Sequence, residues 1–287
     1  MNITILGSRG QIGAYLTEYL EKQGHTVQEV DLVIDHWWHD LTKIGNPRLM
    51  EIFAETDFVF FLAFDVGGSR YLKKYQHTFQ FLDNNAKMMV NVFNMLAMFK
   101  LPFVFASSQM SNMSYSPYGV AKKLGELYTK ALGGKTVKFW NVYGIEKDMA
   151  KAHVITDFIR KGFEEGDFTM MTDGTEERQF LYAEDCCEAL EAVMENYEEL
   201  STDDELHITS FRNTTIKAIA HIIQGQFNLL GKFIKISPGE EKDSVQLDKR
   251  NEPNTFIHKY WLPKTGIDEG IAKVFNEMKK EYVSDES

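Results

Sequence analysis

Short apolar runs alternate with amphipathic stretches over the first half of the chain. NITIL at 2–6, DFVFFLA at 57–63 and the run from Leu101 to Ala106, extended by Ser107 and Ser108, are nearly unbroken. Continuous apolar character of this kind predicts strands buried on both faces of a parallel sheet. HTVQEVD, ending in Asp31, and KTVKFWN, residues 135–141, read as two more strands. Between the runs the apolar period lengthens to that of a helix. Ile12, Leu16, Tyr19 and Leu20 share one side of a helix over 11–22, and AKKLGELYTKAL carries another helix. A third covers 76–99, with Met88, Met89, Val92, Phe93, Met95, Leu96 and Phe99 on a broad face that packs on the sheet and is wide enough to meet a partner subunit.

This strict β-α order predicts an α/β fold with a Rossmann-type, doubly wound parallel sheet. Past residue 143 the alternation loosens. Helices are expected at 151–165, 184–199, 215–227 and 268–281, with strands in FTMMTDGTEERQFLY, LHITS and FIKIS. The division expected is a doubly wound domain over 1–142 and a smaller, interleaved α/β lobe over 143–287, with segments near 180–210 packing back on the first domain. No internal repeat or low-complexity linker interrupts it.

The turn after the first strand carries the first sign of chemistry. Gly7-Ser-Arg-Gly10-Gln-Ile-Gly13 joins a strand to a helix, the context in which such a trio binds a dinucleotide. Gly7 permits the tight turn, Gly10 lets a pyrophosphate approach the backbone, and Gly13 lets helix and strand pack closely. The helix N-terminus adds free N–H groups and a favourable dipole. Asp31 ends the second strand about 20 residues further on, where a carboxylate accepts ribose hydroxyls and repels a 2′-phosphate. NAD is therefore favoured over NADP, although Arg9 is a cation able to pair with such a phosphate.

Composition narrows the class. The chain has 287 residues, 44% of them apolar and 25% charged, as in a soluble globular protein. A formal net charge of −11 argues against nucleic acid as a partner, and any phosphate ligand must be met by local Arg or backbone donors. The apolar run Phe58–Phe64 is too short to span a bilayer. The opening strand has no signal-peptide pattern, and adjacent Cys186 and Cys187 cannot form a disulfide framework, so a cytoplasmic setting is expected. His36 and His39 lack a grouped third ligand, and no metal site is expected.

The stretch SSQMSNMSYSPYGVAKKLGE, 107–126, holds the reactive candidates. Ser116-Pro117 is a helix entry signal, and Tyr118 and Lys122 share a face one turn apart. A nearby cation is expected to lower the phenol's pKa and suit it to proton transfer with a hydroxyl. Ser108, at the carboxyl end of a strand, can hold a substrate oxygen.

Taken together these segments resemble the extended short-chain dehydrogenase/reductases, in their nucleotide-sugar epimerase/dehydratase branch. The motifs are Gly7-x-x-Gly10-x-x-Gly13, Asp31, Asp40-Leu41, Leu62-Ala63, Asp83-Asn84-Asn85, Ser107-Ser108 and Ser116-Pro-Tyr118-Gly-x-x-Lys122. Phe139-Trp-Asn141-Val-Tyr-Gly144, Asp173-Gly174-x-x-x-Arg178-x-Phe-Leu-Tyr-x-x-Asp185 and Pro263-x-x-Gly-x-x-x-Gly270 follow. The resemblance implies that Ser108, Tyr118 and Lys122 are catalytic. It implies NAD contacts from Gly7, Arg9, Gly10, Gln11, Ile12, Gly13, Asp31, Asp40, Leu41, Leu62, Ala63 and Asn85, besides Tyr118 and Lys122. A nucleotide-diphosphate sugar would meet Ser108, Gln109, Asn141, Arg178 and Arg250, and the enzyme would be a homodimer.

In the family's 4,6-dehydratases an Asp-Glu pair follows the Ser/Thr directly, and the decarboxylases that resemble this branch place a Glu close after it. Here Gln109-Met110 follow Ser108, and no acid precedes Tyr118. The resemblance then favours epimerisation at C4 of an NDP-hexose through a transient 4-keto sugar. Only nine residues separate Ser108 from Tyr118, fewer than in most epimerases, and the opening NITILGSRGQIG is similar to dTDP-4-keto-rhamnose reductases. A 4-keto reductase or 4-dehydrogenase is the alternative, ahead of a 4,6-dehydratase and of a non-catalytic dinucleotide-binding protein.

Overall fold

The computed structural model describes residues 1–246 and 251–284. Strands β1 (Asn2–Leu6), β2 (Thr26–Val30), β3 (Phe58–Phe61), β4 (Phe103–Ser108) and β5 (Lys135–Phe139) alternate with helices α1 (Gln11–Lys22), α2 (Pro47–Ala54), α3 (Ser69–Tyr75), α4 (Phe79–Phe99) and α5 (Pro117–Ala131). The later chain adds β6 (Asn141–Tyr143), α6 (Val154–Glu164), β7 (Phe168–Thr169), β8 (Glu177–Tyr182), α7 (Ala183–Glu195) and β9 (Leu206–Ile208). Then come β10 (Asn213–Thr215), α8 (Ile216–Leu229), β11 (Ile236–Ser237) and α9 (Ile267–Ser284).

Six strands form one sheet in the order β2-β1-β3-β4-β5-β9, and every pairing in it is parallel. The chain winds outward from β1 in both directions, so the order reverses between β1 and β3, and a crevice opens there at the strands' carboxyl ends. The unbroken apolar runs have a simple cause. Alternate residues point to opposite sheet faces, and both faces are covered. Ile3, Ile5, Phe58 and Phe60 enter the core beneath α1 and α7, whereas Leu6, Val59 and Phe61 enter the core beneath α4.

Residues 181–208 join the first of these cores, with α7 beside α1 and β9 extending the sheet at β5. A separate core lies among α6, α8 and α9 and includes Ile155, Ile159, Ile219, Phe227, Val274 and Phe275. Asp185, in the first turn of α7, ties the two regions together. Its carboxylate accepts hydrogen bonds from Lys264 N at 2.9 Å, Thr265 N at 2.8 Å and Thr265 Oγ1 at 2.8 Å.

Several elements differ from the pattern reading. The strand expected over 135–141 is broken at Trp140, whose indole donates to His207 Nδ1 at 3.1 Å. Asn141–Tyr143 leave the main sheet and pair with β8, in a three-stranded sheet ordered β10-β8-β6. The apolar stretch at 168–182 is two strands separated by a turn, in which Asp173 Oδ1 accepts from Thr175 N at 3.0 Å. The helix expected from 76 starts at Phe79, because Thr78 caps it by accepting from Phe81 N at 3.3 Å. Among the described residues no helix is long and apolar enough to cross a membrane.

Candidate active site

Sterics fix the first turn. Gly7 has φ +87°, a left-handed conformation, and a β-carbon on Gly13 would lie 2.1 Å from the Gly7 carbonyl oxygen. The α1 N-terminus therefore sits tight against the end of β1. No side chain caps it and no acid occupies its first turn, so its leading N–H groups are available to an anion. Ala63, just past β3, abuts Gly7 and brings Leu62 and Ala63 to the same crevice. Asp31 is held at the rim, with Oδ2 accepting from Arg9 N at 3.0 Å and Oδ1 from Val33 N at 3.0 Å. Each oxygen keeps a lone pair, as recognition of ribose hydroxyls requires. An adenosine dinucleotide fits this donor and acceptor set.

The other residues expected at the cofactor have partners of their own within the protein. The Arg9 guanidinium pairs with Glu29 at 2.6 Å, so the cation that could have favoured a 2′-phosphate is already matched. With its amide oriented to satisfy both neighbours, Gln11 bonds Val142 O at 3.2 Å and Gly144 N at 3.3 Å, and Ile12 packs on the core. Asp40 accepts from Thr42 N at 2.9 Å and Leu41 is buried beneath α4. Fully buried Asn85 clamps the loop after β3, accepting from Asp65 N at 2.7 Å and donating to Asp65 O at 3.2 Å. His39 Nδ1 accepts from Asp31 N at 3.3 Å. Among the described residues no group of three His, Cys, Asp or Glu side chains is placed to hold a metal ion.

Ser108, Tyr118 and Lys122 do come together. Ser116 caps α5 by accepting from Gly119 N at 3.1 Å, and its hydroxyl donates to Gln76 at 2.9 Å. Residues 109–112 form a single 3₁₀ turn. A β-carbon on Gly119 would lie 2.1 Å from Met110 O, so that turn packs directly on the start of α5. Tyr118 is buried with Met110, Met113, Leu72, Phe81 and Val245. Lys122 Nζ donates to Ala106 O at 2.6 Å and stands 3.7 Å from the centre of the Phe64 ring.

Electrostatics correct one expectation. Burial pushes the Tyr118 phenol up to about 12, opposed by a hydrogen bond with Ser108. Burial pulls Lys122 down to about 7, opposed by the charge of Glu126. The expected lowering of the phenol by its neighbouring cation does not hold in the protein alone, because burial dominates and the opposing effect comes from Ser108 rather than from Lys122. Tyr118 is a proton donor there, and Lys122 sits at the edge of ionisation.

A pocket lies among β6, β8 and the 241–246 segment. Asn141 Nδ2 donates to Gln179 O at 3.3 Å, and Asn141 and Arg178 both line this pocket, with an apolar floor of Val154, Ile155, Phe158, Phe180 and Ile216. Arg178 is ion-paired with Asp243, not with the neighbouring glutamates. Gln109 is held by Asn251, which donates to its backbone and side-chain oxygens at 2.5 and 2.6 Å. Arg250 lies outside the described residues.

The model of the NAD dependent epimerase/dehydratase family matches residues 3–208. The chain belongs to that family. A GDP-L-fucose synthase of Sinorhizobium fredii is 28% identical over 171 residues, 55% of this chain and 52% of that protein. A putative UDP-glucose 4-epimerase of Methanocaldococcus jannaschii is 29% identical over 173 residues, 57% and 53% of the two chains. The match thus spans about half the length of these relatives. The fold is similar to that of a UDP-glucose 4-epimerase from Thermotoga maritima solved with UDP-glucose, at TM-score 0.81 and 20% identity over 98% of this chain and 99% of that one.

As a member of this NAD-dependent enzyme family the chain uses NAD, for which the crevice between β1 and β3 is suited. Sequence reasoning missed other parts of the site. Arg70 and Lys73, one turn apart on α3, line the pocket with His153 and Lys242. Two cations at i and i+3 just after Gly67-Gly68 were the available signal. Phe64, under Lys122, carried none beyond its place after β3.

Proposed function

We propose that the chain is a nucleotide-sugar epimerase acting at C4 of an NDP-hexose. The observation that carries this reading is the set Ser108-Tyr118-Lys122 closed by a 3₁₀ turn that offers no acid. The two positions after Ser108 hold Gln109, fixed by Asn251, and buried Met110. Elimination and decarboxylation both call for a carboxyl group near that point. In this reading Ser108 holds the 4-hydroxyl and Tyr118, which would ionise to the phenolate once the cationic nicotinamide of NAD+ is bound beside it, takes and returns its proton. Lys122 offsets the phenolate charge, and Asn141 and Arg178 hold the sugar nucleotide, with the Arg fork matched to a diphosphate. NAD, when bound, supplies a reversible hydride acceptor.

The compact connection between Ser108 and Tyr118 favours a second reading, net reduction or oxidation of the same sugars. Purified protein, with its bound nucleotide identified by mass spectrometry, is to be incubated with UDP-, GDP-, dTDP- and CDP-hexoses in D2O. Product of unchanged mass with inverted C4 supports epimerisation. A two-hydrogen mass change that depends on added NAD(H) supports the second reading, and loss of water refutes both. Tyr118→Phe should lower kcat by about 10³-fold while the dinucleotide is retained.

We assign the chain to a homodimer in the cytoplasm. Support for the dimer is the exposed apolar stripe across α4 and α5, including Val90, Met98, Val120, Leu124 and Leu127. These are not the Met-rich positions of the pattern reading, several of which are buried in the core. The free, buried Cys186 and Cys187 are compatible with a reducing compartment.

A further inference from the structure

Three cations of the pocket, Arg70, Lys73 and Arg178, already have carboxylate partners from the chain itself. Arg70 donates to both oxygens of Asp157, at 3.2 and 2.5 Å. Lys73 pairs with Glu241, and Arg178 with Asp243. The last pair is the most sheltered of those made by the 241–246 segment, with side chains 15% and 23% exposed against 47% and 52% for Lys73 and Glu241. Solvent screens it least, so it weighs most against an incoming anion. The two oxygens of Asp243 do separate work. Oδ2 takes the Arg178 guanidinium, while Oδ1 accepts from Val245 N at 2.9 Å and Gln246 N at 3.4 Å, closing a turn in its own segment.

Resting on the reading of Arg178 as the diphosphate anchor, we propose that Asp243 is an internal stand-in for the substrate phosphate, and that nucleoside diphosphates bind by displacing its carboxylate from Arg178. The exchange leaves no half-buried guanidinium unpaired at either end, which a simple open site would. The carboxylate that is released reaches water and lies beside Lys242, which lines the same pocket. Asp243 thereby sets affinity: a ligand must offer more than one carboxylate's worth of charge to Arg178, which a diphosphate does and a neutral sugar does not.

Asp243→Asn separates the two jobs, because the amide oxygen still closes the turn while the charge on Arg178 is gone. Calorimetric titration of the NAD-containing full chain with UDP, GDP, dTDP and CDP is the test. The variant is expected to bind whichever diphosphate the wild type binds about tenfold more tightly, and a variant that also carries Arg178→Gln is expected to show no gain over Arg178→Gln alone. Asp243→Ser, which also keeps a turn-closing oxygen, gives the same reading should the amide fail to fold. Unchanged or weaker binding in a folded variant overturns the proposal and leaves the diphosphate reading standing. A wild type that binds none of the four overturns both.

Discussion

The dinucleotide crevice and the pocket beside Arg178 are built by different means. Around the crevice, backbone meets backbone: Gly13 against the Gly7 carbonyl, Gly7 against Ala63. Around the pocket, side chains from distant segments hold one another, as Arg178 holds Asp243 and Arg70 holds Asp157. The first kind of contact is rigid, and it leaves a mark in the sequence because only glycine satisfies it. The second can exchange partners, and either member of each pair looks like any other charged residue. A constant cofactor suits the first construction, and a substrate that must enter and leave suits the second.

Gly13→Ala should have the largest effect on stability. A methyl group 2.1 Å from the Gly7 carbonyl oxygen forces α1 off β1, at a cost of about 3 kcal/mol together with loss of NAD from the purified protein. Urea unfolding and cofactor analysis read both, and a loss under about 1 kcal/mol would break the contrast. Asp185→Ala removes three bonds from one buried carboxylate and should cost about 2 kcal/mol. Its effect should concentrate in hydrogen exchange of α9 rather than of the main sheet.

Buried Lys122 yields a pH test. Its folded pKa, about 7, lies below its ordinary 10.5. Between those values the unfolded chain binds more protons, so this group's contribution to stability rises with pH from 7 toward 10.5. Wild type should therefore gain stability relative to Lys122→Met between pH 7 and pH 9 in NAD-free protein. A difference that stays flat or falls would show that burial does not depress the lysine. The smallest change is expected of Arg9→Ala, whose partly exposed pair with Glu29 contributes no more than about 1 kcal/mol. Preference for NAD over NADP should persist, as competition binding would show.

These contrasts explain what could be read from the chain. The β-α order, the glycine turn, Asp31 and the meeting of Ser108 with Tyr118 were legible, because periodicity and spacing encode backbone geometry. The break at Trp140 was not, since KTVKFWN carries no Gly or Pro and the strand ends where an indole reaches for His207. Asp243 was not, being 65 residues from Arg178. Nor was the protonation of Tyr118, which depends on burial by Leu72, Phe81 and Val245 from three separate segments.

That break has a mechanical consequence. Phe139 is in register with Ser108, and Asn141 with Phe180, so one residue links the strand beside Ser108 to β6, the neighbour of the strand that carries Arg178. A single extended residue spans roughly 3.3 Å. That length leaves no slack between the two sheets at this crossing. Trp140 thus acts as a tether of fixed length, which holds the end of the main sheet beside Ser108 close to Asn141 at the pocket.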